Sequence, residues 1–319
     1  MNTGGDPTPQ RPCLTPNHGP KWSIMRMLIT GANGLYGSKI AQITSIKNEV
    51  YSAYRRKNPP AHGTPIQFDI SNKNQVENAF NKVHPEVVIH AASLTNVDEC
   101  ETNKELAWKT NVEGTKITAE ATKQCKAFLL YVSTDYVFNG EKGNYTETDT
   151  ADPINYYGFT KFKAEQLVEN TLQEYCIART SVIFGETPAA EKINFALWVV
   201  NKLRRKEPVK IVTDQWNSPT LNTNLAEMTW EIIRRKMTGI YHLSGATRIS
   251  RYDFAQSIAQ TFNLDSSLIT PSNSFNFNWA AKRPRDSSLN VGKAKKALTK
   301  KPLPVDEALS QLAQQMESK

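Results

Sequence analysis

MLITGANGLYG, residues 27–37, is the stretch that decides the fold. Its first four residues predict a buried strand, and a helix follows the glycine turn. Gly31, Gly34 and Gly37 permit a tight turn and a close approach that a Cβ would block. Such a turn directs backbone N–H groups and the positive end of a helix toward a pyrophosphate. An ordinary strand–helix loop is the alternative, but the surrounding pattern favours dinucleotide binding.

The same alternation continues along the chain. Further strands are predicted at 50–54, 65–69, 86–92, 127–134 and 175–185, and helices at 34–47, 72–83, 104–124 and 157–170. Apolar strands alternating with helices predict an α/β fold with a doubly wound, Rossmann-like parallel sheet. Later segments are less regular, with helices expected at 192–206, 223–236, 251–262 and 292–315 and strands at 209–213 and 239–245.

These patterns predict three regions. Residues 1–24 contain five prolines and three glycines without an apolar period, which indicates a disordered leader rather than a signal peptide. Residues 25–186 are expected to form the dinucleotide-binding domain. Residues 187–319 are expected to form mainly a smaller C-terminal substrate-binding lobe packed on the first domain.

The composition excludes several classes of protein. Of the 319 residues, 39% are apolar, which is enough for a sizeable core and rules out wholesale disorder. Mean hydropathy is −0.52 and no apolar run is long enough for a membrane span. The four cysteines form no CxxC pair, which argues against a zinc site and fits a cytoplasmic protein. The net charge of +8 favours anionic ligands; without a recognition motif, no nucleic-acid partner is expected.

The end of the second strand indicates which dinucleotide is bound. Dehydrogenases that prefer NAD place a carboxylate there, whereas this chain has Arg55 and Arg56. Guanidinium groups match a 2′-phosphate, so NADP(H) is predicted, with a solvated basic turn as the alternative. Ala91, Ala92 and Ser93 close the fourth strand, whose carboxyl end should face the cofactor.

Tyr157 and Lys161 provide the most specific chemical signal. Four residues apart, they lie on one face of a helix, and a nearby ammonium is expected to lower the pKa of the tyrosine. Ser133 and Thr134 end the preceding strand, where a hydroxyl would lie beside the same carbonyl. The three pieces have the order of a hydroxyl–Tyr–Lys reductase site, although an isolated YxxxK is common by chance.

Several motifs together resemble a known family. STDYVFNG (133–140), HAASLTNVDECE (90–101) and DQWNSPT (214–220) are similar to segments of the dTDP-4-dehydrorhamnose reductases, an extended branch of the short-chain dehydrogenase/reductase superfamily. The GxxGxxG spacing of the glycine turn is also typical of that superfamily. The resemblance runs from about residue 25 to about residue 310.

The resemblance implies roles for individual residues. Thr134, rather than Ser133, would be the catalytic hydroxyl, Tyr157 the proton donor, and Lys161 the residue that tunes the tyrosine and holds the nicotinamide ribose. The implied cofactor-binding set is Gly31, Asn33, Gly34, Leu35, Tyr36, Gly37, Arg55, Arg56, Asp69, Ile70, Ala91, Ala92, Ser93, Tyr157 and Lys161. The implied substrate-binding set is Thr95, Asn194, Trp216 and Arg283, with Arg283 offering its charge to a diphosphate.

The implied activity is NADPH-dependent reduction of a 4-keto nucleotide-sugar, from dTDP-4-dehydro-L-rhamnose to dTDP-L-rhamnose. Val182 stands where bacterial members carry a tryptophan that contacts the sugar, which leaves the identity of the sugar open. NAD(H) is an alternative cofactor, a homodimer is one expected assembly, and no metal site is predicted.

Two other functions stay open. One is a non-catalytic, NADP-binding regulatory subunit, because the beta subunit of methionine adenosyltransferase is similar to this family. The other is a nucleotide-sugar epimerase, which would hold NAD tightly and show no net consumption.

Overall fold

The fold was analysed in a computed structural model, which describes Met1 and residues 24–55, 58–186 and 193–317. Residues 2–23 of the predicted leader therefore lie outside the described residues. Arg56 and Lys57 lie outside them as well. No helix within the described ranges is both long and apolar enough to span a bilayer.

The secondary structure consists of thirteen strands and eleven α-helices in the described residues. The strands are β1 (Arg26–Thr30), β2 (Glu49–Tyr54), β3 (Thr64–Gln67), β4 (Val87–His90), β5 (Phe128–Thr134), β6 (Tyr175–Thr180), β7 (Ile183–Phe184), β8 (Val209–Val212), β9 (Trp216–Asn217), β10 (Thr220–Leu221), β11 (Gly239–His242), β12 (Ile249–Ser250) and β13 (Ile269–Ser272). The helices are α1 (Leu35–Thr44), α2 (Lys73–Val83), α3 (Val97–Thr102), α4 (Lys104–Trp108), α5 (Gly114–Gln124), α6 (Tyr156–Thr171), α7 (Phe195–Arg204), α8 (Asn222–Arg234), α9 (Arg251–Thr261), α10 (Gly292–Ala297) and α11 (Val305–Glu317).

Seven parallel strands form the central sheet in the order β11-β6-β5-β4-β1-β2-β3. The connections reverse direction between β1 and β4, and ligands of such sheets bind at the carboxyl ends of the strands flanking that point. The predicted doubly wound α/β class is confirmed.

Alternate residues of the central strands face opposite sides of the sheet. In β1, Met27 and Ile29 pack with α1 and α8, whereas Leu28 packs with α2, α5 and α6. A strand that is buried on both faces needs apolar residues at consecutive positions, which explains the continuous apolar runs in the sequence.

A smaller lobe has its own core. Apolar residues of α7, α9 and α11 pack there with residues of β8 and β13, which form a separate parallel pair. The remaining short pairs, β7 with β10 and β9 with β12, lie in the connecting segments.

The division after residue 186 stays a prediction, and part of the chain beyond it contributes to the central sheet. The chain leaves the sheet after β6 and returns to it as β11, while α8 covers α1. Parts of 187–319 therefore belong to the dinucleotide-binding unit, because β6 needs a partner on its outer edge.

Three long predicted elements are interrupted. The helix expected at 104–124 contains a π-helical turn, Lys109–Glu113, between α4 and α5. The strand expected at 175–185 breaks at Val182, whose φ of +40° is rare for a β-branched residue. The helix expected at 292–315 splits into α10 and α11, because Pro302 and Pro304 disfavour a continuous helix.

Candidate active site

The glycine turn has the backbone geometry of a phosphate cradle. Gly31 has φ +70°, and a Cβ there would lie 2.7 Å from the backbone N of Ala92. A Cβ on Gly37 would lie 2.2 Å from the carbonyl oxygen of Gly31. Gly34 caps α1 without a side-chain hydrogen bond, and the first turn carries no acidic residue. The turn therefore fits the phosphates of a dinucleotide, since only glycine leaves this space and the helix end is positive.

The other residues of the turn differ in what they can contact. Asn33 donates from Nδ2 to the carbonyl oxygen of Asn58 at 2.7 Å. The side chain of Tyr36 is buried and its hydroxyl donates to Thr229 of α8 at 2.9 Å. The carbonyl of Leu35 accepts from Asn222. Tyr36, predicted to bind the cofactor, can therefore do so only through its backbone.

The basic segment after β2 lies beside Asp69, one of the residues implied to bind the cofactor. The half-exposed Arg55 guanidinium is 3.7 Å from Asp69 Oδ2, while Arg56 lies outside the described residues. Partial burial raises the pKa of Asp69, but hydrogen bonds from Ser71 and the charge of Arg55 outweigh it and hold the pKa below its usual value. Ile70 is buried.

The end of β4 is tied to the helix that carries Tyr157. Ser93 donates to Asn111 Oδ1 at 2.9 Å, and Asn111 Nδ2 donates to Thr160 of α6 at 3.0 Å. Ala91 and Ala92 lie against the glycine turn, where Ala92 N–H donates to Thr30 Oγ1. Asn111 belongs to the π-helical turn, and such turns are frequent at functional sites.

Asn111 is not among the site residues predicted from the sequence. An asparagine within a predicted helix was the available signal, since this residue type is a poor helix former.

Thr134 and Tyr157 meet at the carboxyl end of β5. The Thr134 hydroxyl lies close enough to the Tyr157 phenol to influence its pKa. Asn155 caps α6, and a Cβ on Gly158 would lie 2.0 Å from the carbonyl of Tyr136, so the first turn of α6 packs directly on this strand end. Burial raises the pKa of Tyr157 above its usual value, against the opposing hydrogen bond from Thr134.

Lys161, about one helical turn after Tyr157 in α6, is buried. Its Nζ donates to the carbonyl of Val132 at 2.7 Å and lies 4.2 Å from the ring centre of Tyr131. Burial lowers the pKa of Lys161 to about 7, although Glu165 opposes the shift. The expectation that this lysine lowers the pKa of Tyr157 is wrong for this arrangement, because the ammonium is directed at a backbone carbonyl and the pKa of Tyr157 is raised.

The four predicted substrate residues are not equivalent. Thr95 is exposed in the loop after β4. Asn194 accepts from Leu197 N–H and donates to the carbonyl of Gly185, so it positions α7. Trp216 lies in β9, and its ring centre is 5.2 Å from the guanidinium carbon of Arg248.

Arg283 lies next to the start of α6. It donates to Asp98 Oδ2 at 2.7 Å, and its guanidinium carbon lies 5.4 Å from the ring centre of Trp279. The neighbouring Lys282 carbonyl accepts from Asn155, the cap of α6. Arg283 thus combines a positive charge near Tyr157 with an ion pair that joins two segments distant in sequence.

Two residues near Thr134 were missed. Asp135 is buried and accepts the hydroxyl protons of three neighbouring side chains. Arg251, the first residue of α9, lies over the ring of Phe195 at 5.1 Å and reaches the hydroxyl of Tyr136. Only the folded chain brings α9 to β5, so no local pattern indicated Arg251.

Comparisons with known proteins agree with this geometry. The family model described as the RmlD substrate binding domain matches residues 25–318. A dTDP-4-dehydrorhamnose reductase of Aggregatibacter actinomycetemcomitans is 31% identical over 301 residues, covering 91% of this chain and 98% of that protein. Methionine adenosyltransferase 2 subunit beta of Rattus norvegicus is 30% identical over 278 residues, covering 84% of this chain and 81% of that protein.

A solved structure is similar over nearly the same length. The crystal structure of dTDP-4-dehydrorhamnose reductase from Bacillus anthracis in complex with NADP has a TM-score of 0.80 and 29% sequence identity. The match covers 92% of this chain and 100% of that one. The site residues described above, from the glycine turn to Arg283, lie within the region matched by the family model.

Proposed function

Since this chain belongs to the RmlD substrate binding domain family, we propose that it reduces the 4-keto group of a nucleotide-linked deoxysugar, with dTDP-4-dehydro-L-rhamnose as substrate and dTDP-L-rhamnose as product. The resemblance found in the motifs is confirmed, and the chain is an NADP-dependent oxidoreductase. The observation that carries the proposal is the meeting of Thr134, Tyr157 and Lys161 at the carboxyl edge of the sheet.

NADP(H) is the cofactor, and when bound as NADPH it supplies the hydride for the ketone carbon. The glycine turn would hold the phosphates through its backbone N–H groups, so no side-chain donor is needed there. Tyr157 gives its phenolic proton to the sugar oxygen as negative charge develops there. Its raised pKa keeps that proton on the phenol until the transfer, and general acid catalysis of this kind contributes about 10²–10⁴-fold.

The test is NADPH oxidation with a panel of 4-keto nucleotide-sugars. We expect absorbance at the NADPH band to fall only when a keto sugar is added, fastest with dTDP-4-dehydro-L-rhamnose. Oxidation that is fastest with another member of the panel would correct the sugar and keep the reaction. Failure of the whole panel would overturn the reductase function.

A regulatory subunit is the second candidate, favoured by the similarity to methionine adenosyltransferase 2 subunit beta. In that function the NADP site would be structural, and the partner would be a methionine adenosyltransferase. Inactivity toward every keto sugar, together with a change in the kinetics of such a synthetase on mixing, would support it. Tightly held NAD with sugar interconversion and no net NADPH oxidation would instead indicate an epimerase.

A preference for NADPH over NADH is expected from the basic segment after β2. Charge-assisted bonds to a 2′-phosphate contribute about 1.5–3 kcal/mol, or about 10- to 100-fold in affinity. The double substitution Arg55→Ala/Arg56→Ala should remove most of this preference and leave NADH affinity nearly unchanged. Titration with NADPH and with NADH measures the two affinities. Lys82→Ala, at an exposed lysine of α2, is the control. Equal affinity of the unsubstituted protein for both cofactors would make the segment a solvated turn.

Arg283 is expected to hold the diphosphate of the sugar substrate. Arg283→Ala should raise KM for the nucleotide-sugar about tenfold or more, with cofactor affinity and Tm hardly changed. The two side chains of the Arg283–Asp98 ion pair are 13% and 37% exposed, and exposed ion pairs contribute about 0–1 kcal/mol, so the loss of stability should be small.

Asp98→Asn is the matched control for Arg283→Ala, because it removes the ion pair and keeps the guanidinium. An unchanged KM in Asp98→Asn supports a direct contact with substrate. A lower Tm in Arg283→Ala with KM unchanged would mean that the residue only joins two segments of the fold.

The predicted homodimer and the predicted cytoplasmic location stay predictions.

A further inference from the structure

Asp135 is a buried carboxylate surrounded by hydroxyl groups. Thr134 donates to its Oδ1 at 3.0 Å, while Ser181 and Ser287 donate to its Oδ2 at 2.8 Å and 2.5 Å. The side chain of Asp135 is only 3% exposed. A carboxylate removed from water requires such donors, and charged hydrogen bonds of this kind are the stronger ones.

These contacts fix the direction of the Thr134 hydroxyl. Its proton points to Asp135, and one of its lone pairs accepts the backbone N–H of Tyr136 at 3.2 Å. The Tyr157 phenol lies close enough to this hydroxyl for Thr134 to oppose the rise of its pKa. In this orientation the Thr134 proton is held by Asp135 and cannot be donated to a sugar oxygen.

We propose that Asp135 is a positioning residue, which holds the Thr134 hydroxyl toward itself before proton transfer and releases it to Tyr157 afterwards. The proposal rests on the proposed reductase function and deepens it. Asp135 acts through Thr134 and Tyr157 and does not contact the sugar.

This step accounts for the phenolic proton, the hydride and the hydrogen bond of Thr134. The phenolic O–H bond of Tyr157 breaks as its proton forms a bond to the sugar oxygen, while the ketone carbon accepts the hydride. The Thr134 hydroxyl then rotates from Asp135 to the new phenolate, breaking one hydrogen bond and forming another. Asp135 keeps its two serine donors, so its negative charge stays partnered throughout.

The charge of Asp135 is influenced by groups from several separate segments of the chain. Burial raises its pKa above the usual value for aspartate, and the hydroxyls of Ser287, Ser181 and Thr134 oppose that shift in this order. The Arg251 guanidinium, from α9, opposes it further. Tyr136 and Tyr157 face the same carboxylate, and its charge raises the pKa of both phenols. The ionised form can accept the Thr134 proton, so activity should fall as Asp135 becomes protonated.

Ser287 links the pKa of Asp135 to the C-terminal segment of the chain. It follows Arg283 by four residues, and its N–H donates to the carbonyl of Trp216. The segment that carries Arg283 therefore supplies the shortest hydrogen bond to Asp135 and is itself bonded to Trp216.

The experiment is a pH profile of kcat for NADPH oxidation with the 4-keto sugar. Asp135→Asn should lower kcat about 10- to 100-fold, with KM hardly changed, and remove the acidic limb of the profile. Ser287→Ala removes a donor that stabilises the carboxylate, so its acidic limb should move to higher pH. Ser288→Ala is the matched control, since this neighbouring hydroxyl donates to Asp286 at 2.6 Å and its profile should not move.

A second readout needs no turnover. In protein with ¹³C-labelled aspartate carboxyls, the signal lost in Asp135→Asn identifies Asp135, and its titration midpoint should be higher in Ser287→Ala than in the unsubstituted protein. An unmoved midpoint, or an acidic limb that persists in Asp135→Asn, would overturn the proposal. If the unsubstituted protein oxidises no NADPH with any keto sugar, the reductase function has failed, while the titration still decides whether the serine donor controls Asp135.

Discussion

Tyr157→Phe should lower the turnover of NADPH-dependent keto-sugar reduction by on the order of 100-fold or more, because it removes the proton donor. The ring keeps its edge-to-face contact with Tyr136, whose centre is 6.0 Å away. The hydrogen bond with Thr134 is lost, but Thr134 retains its bonds to Asp135 and to the N–H of Tyr136. The fold and the affinity for NADPH should therefore stay as they are.

Tyr156→Phe is the matched control for this experiment. Tyr156 precedes Tyr157 in the same helix, but its ring packs on Phe159 with centres 5.8 Å apart and lies under the Lys104 ammonium. Its turnover should equal that of the unsubstituted protein. Near-normal turnover of Tyr157→Phe, with structure unchanged, would show that another group gives the proton.

Gly37→Ala should raise the Kd for NADPH by on the order of 100-fold and lower Tm by several degrees. The new Cβ would lie 2.2 Å from the Gly31 carbonyl oxygen and 2.9 Å from its carbon. Both atoms belong to the backbone of the phosphate-binding turn, so the turn itself must move. Overpacking costs about 1–3 kcal/mol, and about 3 kcal/mol corresponds to about 100-fold in affinity.

Gly34→Ala provides the comparison within the same turn. A Cβ there would meet only the Gly31 carbonyl oxygen, at 3.1 Å, and the extended backbone of Gly34 suits any residue. Its Tm should stay close to that of the unsubstituted protein. Equal Tm values for the two variants, measured by calorimetry beside cofactor titration, would contradict the assignment of Gly37 as the rigid contact of the turn.

The sequence predicts the central sheet well because its strands are buried on both faces. Residues such as Val87, Val88 and Ile89 serve both cores of the sheet, so the apolar pattern is continuous and easily recognised. The short strands β9 and β12 consist of two residues each and carry no such period. The spacing of apolar residues does not indicate the π-helical turn at Lys109–Glu113 either. Its position in the helix depends on the contacts of Asn111 with α6.

The candidate site is predictable where one local segment carries it. The glycine turn and the Tyr157–Lys161 pair each lie within a few residues, so their spacing alone indicates the chemistry. The role of Asp135 depends on Ser181 and Ser287, which reach it only through the tertiary fold. The direction of the Lys161 ammonium was also unpredictable, because its acceptor is a backbone carbonyl of β5 and not a side chain.

The position of β11 has a consequence for the order of folding during synthesis. Until residues 239–242 emerge from the ribosome, β6 is an apolar strand with one unpaired edge, and such edges invite pairing with other chains. At roughly 5–20 residues per second, synthesis of the intervening residues 181–238 leaves that edge open for several seconds. A shortened chain ending at residue 186 would keep it open permanently, so the nucleotide-binding half should aggregate when expressed alone.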